Sequence, residues 1–350
     1  MKKILKIIGK IILILLILCI VFVIIIYANN KFKLKQETKI IHHQWQYIEV
    51  DVYKMNIYTE GNGDKTLVFM AGANTPAVIY DFKPLYKRLS NDYKIVVIEK
   101  FGYGYSEDID GERSVSVLLK QDREALKKAG IDGPYILCPH SASGLEAISW
   151  AQEYPDEVEA IIGLDMAVPR QFDYMGNGLD NAKPITYEDT IKDEDFFNLW
   201  LYDMGMYRLY KIGDIFPASK SKDLTKEEQE EYKAITYHWY SKYYKTSMYR
   251  EGLATKEQIE DLKKIYDTKV PNVPTLFFVS NDTSQFNMMF GDDGIKIWEN
   301  IHKEYLDNVS KSKYIKLNCG HYVHVLEPER VSKDIKEFIN NLNNWAIGIF

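Results

Sequence analysis

The sequence predicts an α/β protein with a doubly wound, mostly parallel sheet, an inserted all-helical segment and an N-terminal transmembrane helix. Short apolar runs, of the kind that form strands buried on both faces, alternate with helical periodicity between residues 66 and 165. This alternation implies right-handed crossovers, with helices covering both faces of the sheet. A long region of helical pattern over residues 169–269 then interrupts the alternation, and an apolar run restores it afterwards.

The composition of the chain indicates which kinds of partner are not expected. The chain has 350 residues, a formal net charge of -6 and three cysteines. No basic stripe with interleaved aromatic residues is visible in the sequence, so nucleic acid is not an expected partner. Cys19, Cys138 and Cys319 have neither the spacing of a disulfide framework nor that of a metal site, and we expect no metal.

The N-terminus carries an unbroken apolar run over residues 11–27, which further apolar residues extend backward past Lys6 and Lys10. As a helix the run reaches about 25 Å, and lysine stems lying along it extend the span toward the roughly 30 Å of a bilayer core. A cleaved signal peptide is the alternative, but the run is long for one and Ile26-Tyr27-Ala28 is a poor cleavage site. We therefore expect a retained single-pass anchor.

Lysines on both sides of this anchor bear on its orientation. Those that precede or interrupt the apolar run favour a cytoplasmic N-terminus and an extracytoplasmic domain, and three more between residues 31 and 35 reduce that bias. The polar residues 31–45 predict a tether. The lipid bilayer is thus an expected partner through the N-terminal helix.

A sharp strand-to-helix turn dominates the middle of the chain. The apolar run over residues 135–138 stops at Pro139, and a helical pattern begins at Leu145. Ser141 lies between them, flanked by the small residues Pro139 and Ser143. A serine on such a turn projects its hydroxyl above the sheet, and the N-terminus of the following helix favours a developing oxyanion. Ser141 is therefore a candidate nucleophile.

This turn resembles the Gly-His-Ser-x-Gly-Gly elbow of the α/β-hydrolase family, with Pro139 and Ser143 in place of two glycines. Residues 101–106, Phe-Gly-Tyr-Gly-Tyr-Ser, are similar to the family's Pro-Gly-x-Gly-x-Ser loop. Gly320-His321, followed by a Pro-Glu helix start, is similar to its Gly-His segment. The elements arrive in the family order over residues 47–342.

The resemblance implies a helical cap inserted into a hydrolase core. The expected divisions are an anchor over 1–30, a tether over 31–45, a first core part over 46–168, the cap over 169–269 and a second core part over 270–350. Aromatic and methionine side chains of the cap are candidates to line the pocket or to form the cap's own core: Trp200, Tyr202, Met206, Tyr237, Trp239, Tyr240, Tyr243 and Tyr244.

The resemblance also implies a Ser-Asp-His triad. Ser141 matches the nucleophile and His321 the base, while the family's acid follows the next strand in a Gly-x-x-Asp pattern. Asp282 matches this acid, although it comes one residue early and Ser280 replaces the glycine. Three aspartates remain open as alternatives for the acid: Asp165, Asp292 and Asp293.

Two backbone N–H groups complete the implied site. Ala71-Gly72-Ala73 follows the apolar run 66–70 and looks like the family's His-Gly-x segment, so Ala73 would supply one oxyanion donor. Ala142, directly after the nucleophile, would supply the other.

The implied activity is cleavage of an acyl bond, most simply a carboxylic ester with a small or medium apolar acyl group, through an acyl-enzyme and without a cofactor. An aspartate nucleophile, as in dehalogenase and epoxide-hydrolase relatives, is excluded because residue 141 is serine. Peptidase, amidase and acyltransferase activities use the same triad and stay open. A catalytically silent, hydrolase-like binding or sensing protein is the alternative from another class.

Overall fold

The computed structural model describes residues 2–42, 46–176, 178–185, 196–242 and 246–347, and a single sheet organises them. Its strands are β1 (Gln46–Val50), β2 (Tyr53–Glu60), β3 (Thr66–Met70), β4 (Lys94–Glu99), β5 (Tyr135–Pro139), β6 (Val158–Leu164), β7 (Thr275–Val279) and β8 (Ser312–Lys316). The spatial order is β1-β2-β4-β3-β5-β6-β7-β8. β2 pairs antiparallel with β1 and β4, and every other pairing is parallel. The predicted fold class is confirmed.

Helices cover both faces of this sheet. They are α1 (Lys2–Glu37), α2 (Val78–Tyr86), α3 (Val115–Lys128), α4 (Ser143–Glu153), α5 (Phe196–Met204), α6 (Lys226–Tyr240), α7 (Ser247–Glu251), α8 (Lys256–Asp267), α9 (Thr283–Phe290), α10 (Gly294–Leu306), α11 (Val323–Leu326) and α12 (Pro328–Ile347). Leu67 and Phe69 of β3 pack with α2 and α12, whereas Val68 and Met70 pack with helices α3, α4 and α10. This alternation along one strand explains its continuous apolar sequence.

The insertion over residues 169–269 is helical in its described parts. It holds α5 to α8 and short 3₁₀ turns, which include Met206–Tyr210 and Ile212–Asp214. Thr225 caps α6 in a capping box with Glu228, as the Thr-x-x-Glu spacing indicates. We call these elements the cap; Ser247 of α7 lies against Gly102, which is in the loop after the carboxyl end of β4.

The N-terminal helix differs from the expectation. α1 continues to Glu37, so the segment predicted as a tether over 31–45 is helical as far as that residue. Near the end of this helix, Asn30 and Glu37 are hydrogen-bonded to Arg208 of the cap, whereas Lys31, Lys33 and Lys35 are exposed. Of the described helices, α1 is long and apolar enough to cross a membrane.

A buried ion cluster joins the cap to the core. Lys100, directly after β4, lies with its Nζ 2.8 Å from Glu146 Oε1 on α4 and 2.6 Å from Glu251 Oε1 on α7. All three side chains are buried. Burial opposes the charge of Lys100, but the two carboxylates outweigh it and hold its pKa well above the ordinary value.

We expect Lys100→Met to lower the free energy of unfolding by about 3–5 kcal/mol, because it leaves two carboxylates buried without their cation. Lys120→Met is the matched control, since the Lys120 side chain is exposed and its Nζ lies 3.9 Å from Asp51. Chemical denaturation of the detergent-solubilised protein measures both changes. Equal stability of the two variants would contradict a structural role for the cluster.

Candidate active site

Ser141 occupies a strained turn between β5 and α4. Its φ is +54°, in the left-handed region that a side chain rarely adopts. Backbones approach closely on both sides of it: a Cβ on Gly72 would lie 2.6 Å from the Ser141 Cβ, and one on Gly144 would lie 2.3 Å from the Ala167 carbonyl oxygen. Glycine at these two positions therefore allows the turn to form.

Ser143 explains one departure from the family elbow. Its buried Oγ lies 2.8 Å from the carbonyl oxygens of both Met70 and His140, and it accepts a hydrogen bond from the His140 N–H. The hydroxyl thus ties the elbow to the end of β3, a contact that glycine could not make.

His321 lies in the loop after β8, and its ring is oriented by a carboxylate. The His321 Nδ1 lies 2.6 Å from Asp165 Oδ2, and Asp165 directly follows β6. Asp165 is completely buried and has a positive φ of +52°. The strained residue is held in place by its surroundings, as is typical of functional positions.

Asp165 receives three more hydrogen bonds. Ser280 donates its backbone N–H at 2.8 Å and its hydroxyl at 2.7 Å, and the Trp298 indole N–H donates at 2.9 Å. Burial alone would raise the pKa of Asp165, but the bonds from His321, Ser280 and Trp298 outweigh it and lower the pKa below its ordinary value. The carboxylate is therefore ionised at neutral pH.

The expectation that Asp282 is the acid is corrected by this geometry. Asp282 is the N-cap of α9, and its Oδ1 accepts bonds from the Gln285 N–H at 3.2 Å and the Ser284 hydroxyl at 2.7 Å. Asp292 and Asp293 are both exposed. Asp165, one of the alternatives, is the carboxylate that bonds the imidazole.

The reason lies in how the chain leaves β7. The helix α9 begins at Thr283, so the Asp282 carboxylate is used by its unpaired N–H groups. Ser280, the residue that replaces a family glycine, is instead a donor to Asp165. Nothing in the sequence indicated that Ser280 and Trp298 donate hydrogen bonds to the acid. For Asp165 the one sign was its position at the end of an apolar run, where a strand was expected to end at the site.

Two backbone N–H groups lie in the loops that meet at the serine turn. Ala73 lies in the turn after β3, and Ala142 is the first residue of the turn into α4. Within the described ranges, neither N–H donates a hydrogen bond to another residue. The arrangement leaves both groups available to an acceptor near Ser141.

Two other histidines lie near His321 and have different partners: His140 packs on the His321 ring, and His324 packs on His140. The buried His140 ring lies 4.5 Å from the His321 ring between centroids, and its Nε2 is 3.3 Å from the His321 carbonyl oxygen. Burial lowers the pKa of His140 well below the usual value, so it stays neutral. His324 bonds Asp81 at 2.9 Å and is not the triad histidine, in line with its position in the sequence.

Aromatic side chains of the cap lie between α5 and this site. The Tyr202 and Tyr240 rings stack at 6.2 Å with an interplanar angle of 10°. Tyr240 and Tyr322 pack against the same apolar cluster, and the Tyr322 ring is 5.7 Å from the His321 ring. Two further candidates, Tyr243 and Tyr244, lie outside the described residues. In the part of the chain that the structure describes, no group of three His, Cys, Asp or Glu side chains is arranged to hold a metal.

We expect Asp165→Asn to lower the free energy of unfolding at pH 7 by about 2 kcal/mol, since it removes a charged hydrogen-bond acceptor. The folded-state pKa of Asp165 is lowered, so its contribution is present above the unfolded pKa of about 3.9 and is lost as pH falls through the folded value. The stability gap between wild type and variant should therefore close under acid. Asp292→Asn is the control, because the Asp292 side chain is exposed. A gap that persists unchanged at low pH would contradict the ionised state.

The chain has relatives of similar length among known proteins. No protein-family model matches it. It is 30% identical over 320 residues to the uncharacterized protein YbdG of Bacillus subtilis, covering 91% of this chain and 92% of that protein. It is 23% identical to Epoxide hydrolase 1 of Caenorhabditis elegans, covering 84% of this chain and 70% of that protein.

Solved structures show the fold. An epoxide hydrolase from Bacillus megaterium superposes with a TM-score of 0.61 at 19% identity, over 84% of this chain and all of that one (100%). A haloalkane dehalogenase variant from Bradyrhizobium elkanii gives 0.60 at 16% identity, over 87% and 98% of the two chains. The chain therefore belongs to the same family as YbdG of Bacillus subtilis and has the α/β-hydrolase fold.

Proposed function

We propose that this protein is a membrane-anchored serine hydrolase that cleaves an acyl bond, with Ser141 as nucleophile, His321 as base and Asp165 as acid. The observation that carries the proposal is the bond of 2.6 Å between the His321 Nδ1 and a buried, ionised Asp165. The His321 ring packs on His140, the residue that precedes Ser141 on the strained elbow. These are the parts that serine hydrolysis requires, in the chain order Ser141, Asp165, His321.

The proposed reaction has two steps. The Ser141 oxygen attacks the substrate carbonyl carbon while the His321 Nε2 takes its proton, and the imidazolium then gives that proton to the departing alkoxide. Water attacks the acyl-enzyme in the same way and releases the acid. Throughout, the Nδ1–H of His321 donates to Asp165, which fixes the tautomer and stabilises the imidazolium.

Ala73 and Ala142 are the proposed oxyanion donors. Both backbone N–H groups lack a partner among the described residues, and Ala142 lies at the start of α4, where the helix dipole favours negative charge. Because they belong to the backbone, replacing the family histidine by Ala71 does not remove the donor.

A serine nucleophile suits an ester substrate better than an epoxide or a haloalkane, the substrates named for the relatives. Serine attack on an epoxide or a haloalkane would give an ether, which water does not cleave, so the enzyme would stop after one turnover. Attack on a carboxylic ester gives an acyl-enzyme that water can hydrolyse. The aromatic cap side chains favour a small or medium apolar acyl group. The same triad also serves thioester, amide and peptide substrates or acyl transfer.

The proposed location is the membrane, with the hydrolase domain on the extracytoplasmic side. α1 is apolar and long enough to span a bilayer, and residues 2–22 are exposed over their whole length in the described structure. Lys2, Lys3, Lys6 and Lys10 at its N-terminal end support a cytoplasmic N-terminus.

We expect a fluorophosphonate probe to label one serine of the full-length protein, because only an activated hydroxyl attacks such a phosphorus centre. Ser141→Ala should abolish the labelling and the hydrolysis of short-chain p-nitrophenyl esters. Ser149→Ala, on the same helix but away from the turn, should keep both. Labelling that survives Ser141→Ala would refute the nucleophile, and a folded but unreactive wild type would favour a binding or sensing protein.

The acid has its own test. Asp165→Asn should reduce ester turnover by about 10⁴, because the histidine then takes the wrong tautomer. Asp282→Asn keeps the α9 cap and should leave turnover close to wild type. The two rates, measured on the same short-chain ester at pH 7, discriminate between the two aspartates. The assignment fails if Asp282→Asn is the slower enzyme.

A further inference from the structure

The polar end of α1 has one covered face. Along a helix that is otherwise exposed, the buried and half-buried residues are spaced by three or four: Val23, Ile26, Asn30, Leu34 and Glu37. This spacing puts them on a single stripe. The stripe faces the cap, because α1 contacts both α5 and α6. The helix that carries the apolar run is thus also a packed part of the cap.

Polar contacts along this stripe fix the packing. Asn30 is buried, and its Oδ1 accepts hydrogen bonds from the Tyr207 hydroxyl at 2.9 Å and the Arg208 Nε at 2.6 Å. Arg208 also makes a bidentate pair with Glu37, at 2.8 and 2.7 Å. A Cβ on Gly205 would lie 2.4 Å from the Asn30 side chain, so the two backbones approach closely. Two-pronged arginine bonds of this kind specify geometry as well as adding stability.

The position of the stripe locates the cap relative to a bilayer. The stretch that the cap leaves uncovered, Ile4 to Phe22, has 19 residues, is apolar except for Lys6 and Lys10, and spans about 28 Å as a helix. This length matches the roughly 30 Å of a bilayer's hydrocarbon core. Coverage by the cap begins at Val23, within the last part of the apolar run. A membrane containing the uncovered stretch therefore ends where the cap begins.

The helix α5 lies at that boundary. It contacts α1, and Gly205, the residue after its end, touches Asn30, one turn beyond the buried Ile26. Its sequence, Phe-Phe-Asn-Leu-Trp-Leu-Tyr-Asp-Met, is mostly apolar and aromatic. Trp200 and Tyr202 are residue types enriched at membrane interfaces, and three exposed lysines of α1, Lys31, Lys33 and Lys35, lie just beyond.

The same helix begins an aromatic row that ends at the catalytic histidine. Tyr202 of α5 stacks on Tyr240, and Tyr240 packs with Tyr322 against one apolar cluster. Tyr322 is adjacent in sequence to His321 and contacts its ring. An acyl chain leaving a bilayer beside α5 would meet apolar or aromatic surface along this row. Such surface spares the chain the cost of crossing water.

We propose that α5 lies in the interfacial layer of a phospholipid bilayer and that the active site takes its acyl substrate from that membrane. The substrate class is an amphiphilic ester with a membrane-dissolved acyl chain. The second half of this inference rests on the proposed hydrolase function; the bilayer contact of α5 does not.

The bilayer contact is tested by fluorescence, without any activity. Full-length wild type and Trp200→Phe are reconstituted in phosphatidylcholine–phosphatidylglycerol vesicles, and the difference between their spectra gives the emission of Trp200. Lipids brominated near the headgroup end of the acyl chain should quench this emission more than lipids brominated near the chain terminus. Emission that neither lipid quenches would overturn the contact.

Substrate delivery is tested with a pair of esters. Arg208→Ala breaks the bonds to Asn30 and Glu37, and Glu37→Gln weakens the same pair from the α1 side. Both should lower kcat/KM on a long-chain p-nitrophenyl ester dissolved in vesicles by about tenfold, while kcat/KM on a short, soluble ester stays unchanged. Arg170→Ala is the control, since Arg170 makes an exposed ion pair with Asp173 elsewhere on the cap.

The outcomes separate this inference from the function on which it rests. Equal losses on both esters would show that Arg208 only supports the fold and would overturn membrane delivery. Unchanged hydrolysis of the long-chain ester would overturn it as well. A wild type inactive on both esters, with Trp200 quenched as expected, would refute the hydrolase and still support the bilayer contact of α5.

Discussion

The close approach of three backbone segments around Ser141 is the constraint on which the site depends. The serine can adopt its left-handed conformation only because Gly72 and Gly144 leave room for the end of β3 and the loop after β6. That same loop begins with Asp165, and its Ala167 N–H bonds the Ser141 carbonyl oxygen at 2.7 Å. The proposed nucleophile, oxyanion donors and acid are therefore positioned by one compact junction of strand ends.

Two buried ionisable groups in this junction, Asp165 and His140, have different charge states. Asp165 is ionised although it is fully buried, because four hydrogen bonds converge on its carboxylate. His140 is equally buried, receives no comparable support and remains neutral. A second positive charge beside His321 would disfavour the imidazolium that catalysis needs, so a neutral His140 suits the proposed mechanism.

Local patterns predicted the fold, the elbow and His321, since each depends on residues that are neighbours in sequence. Local patterns did not identify the acid. Whether Asp165 or Asp282 contacts the histidine depends on where α9 begins and on how the ends of β6 and β7 lie relative to each other. Trp298 was out of reach for the same reason: its bond to Asp165 spans 133 residues. Likewise, residues 31–37 are mostly polar in sequence, and the local pattern does not show that Glu37 is paired with Arg208 on the cap, 171 residues away.

The Lys100 cluster also limits how the cap can move. Lifting α7 from the core would separate Glu251 from Lys100 and leave charges that burial had paired, at a cost of several kcal/mol. A second attachment lies on α6, where Tyr232 donates a buried hydrogen bond to Asp81 and Glu231 accepts one from Tyr80. Lifting the cap as a rigid body would therefore break polar contacts at both places, and a local movement of the cap would widen access to Ser141 at a lower cost.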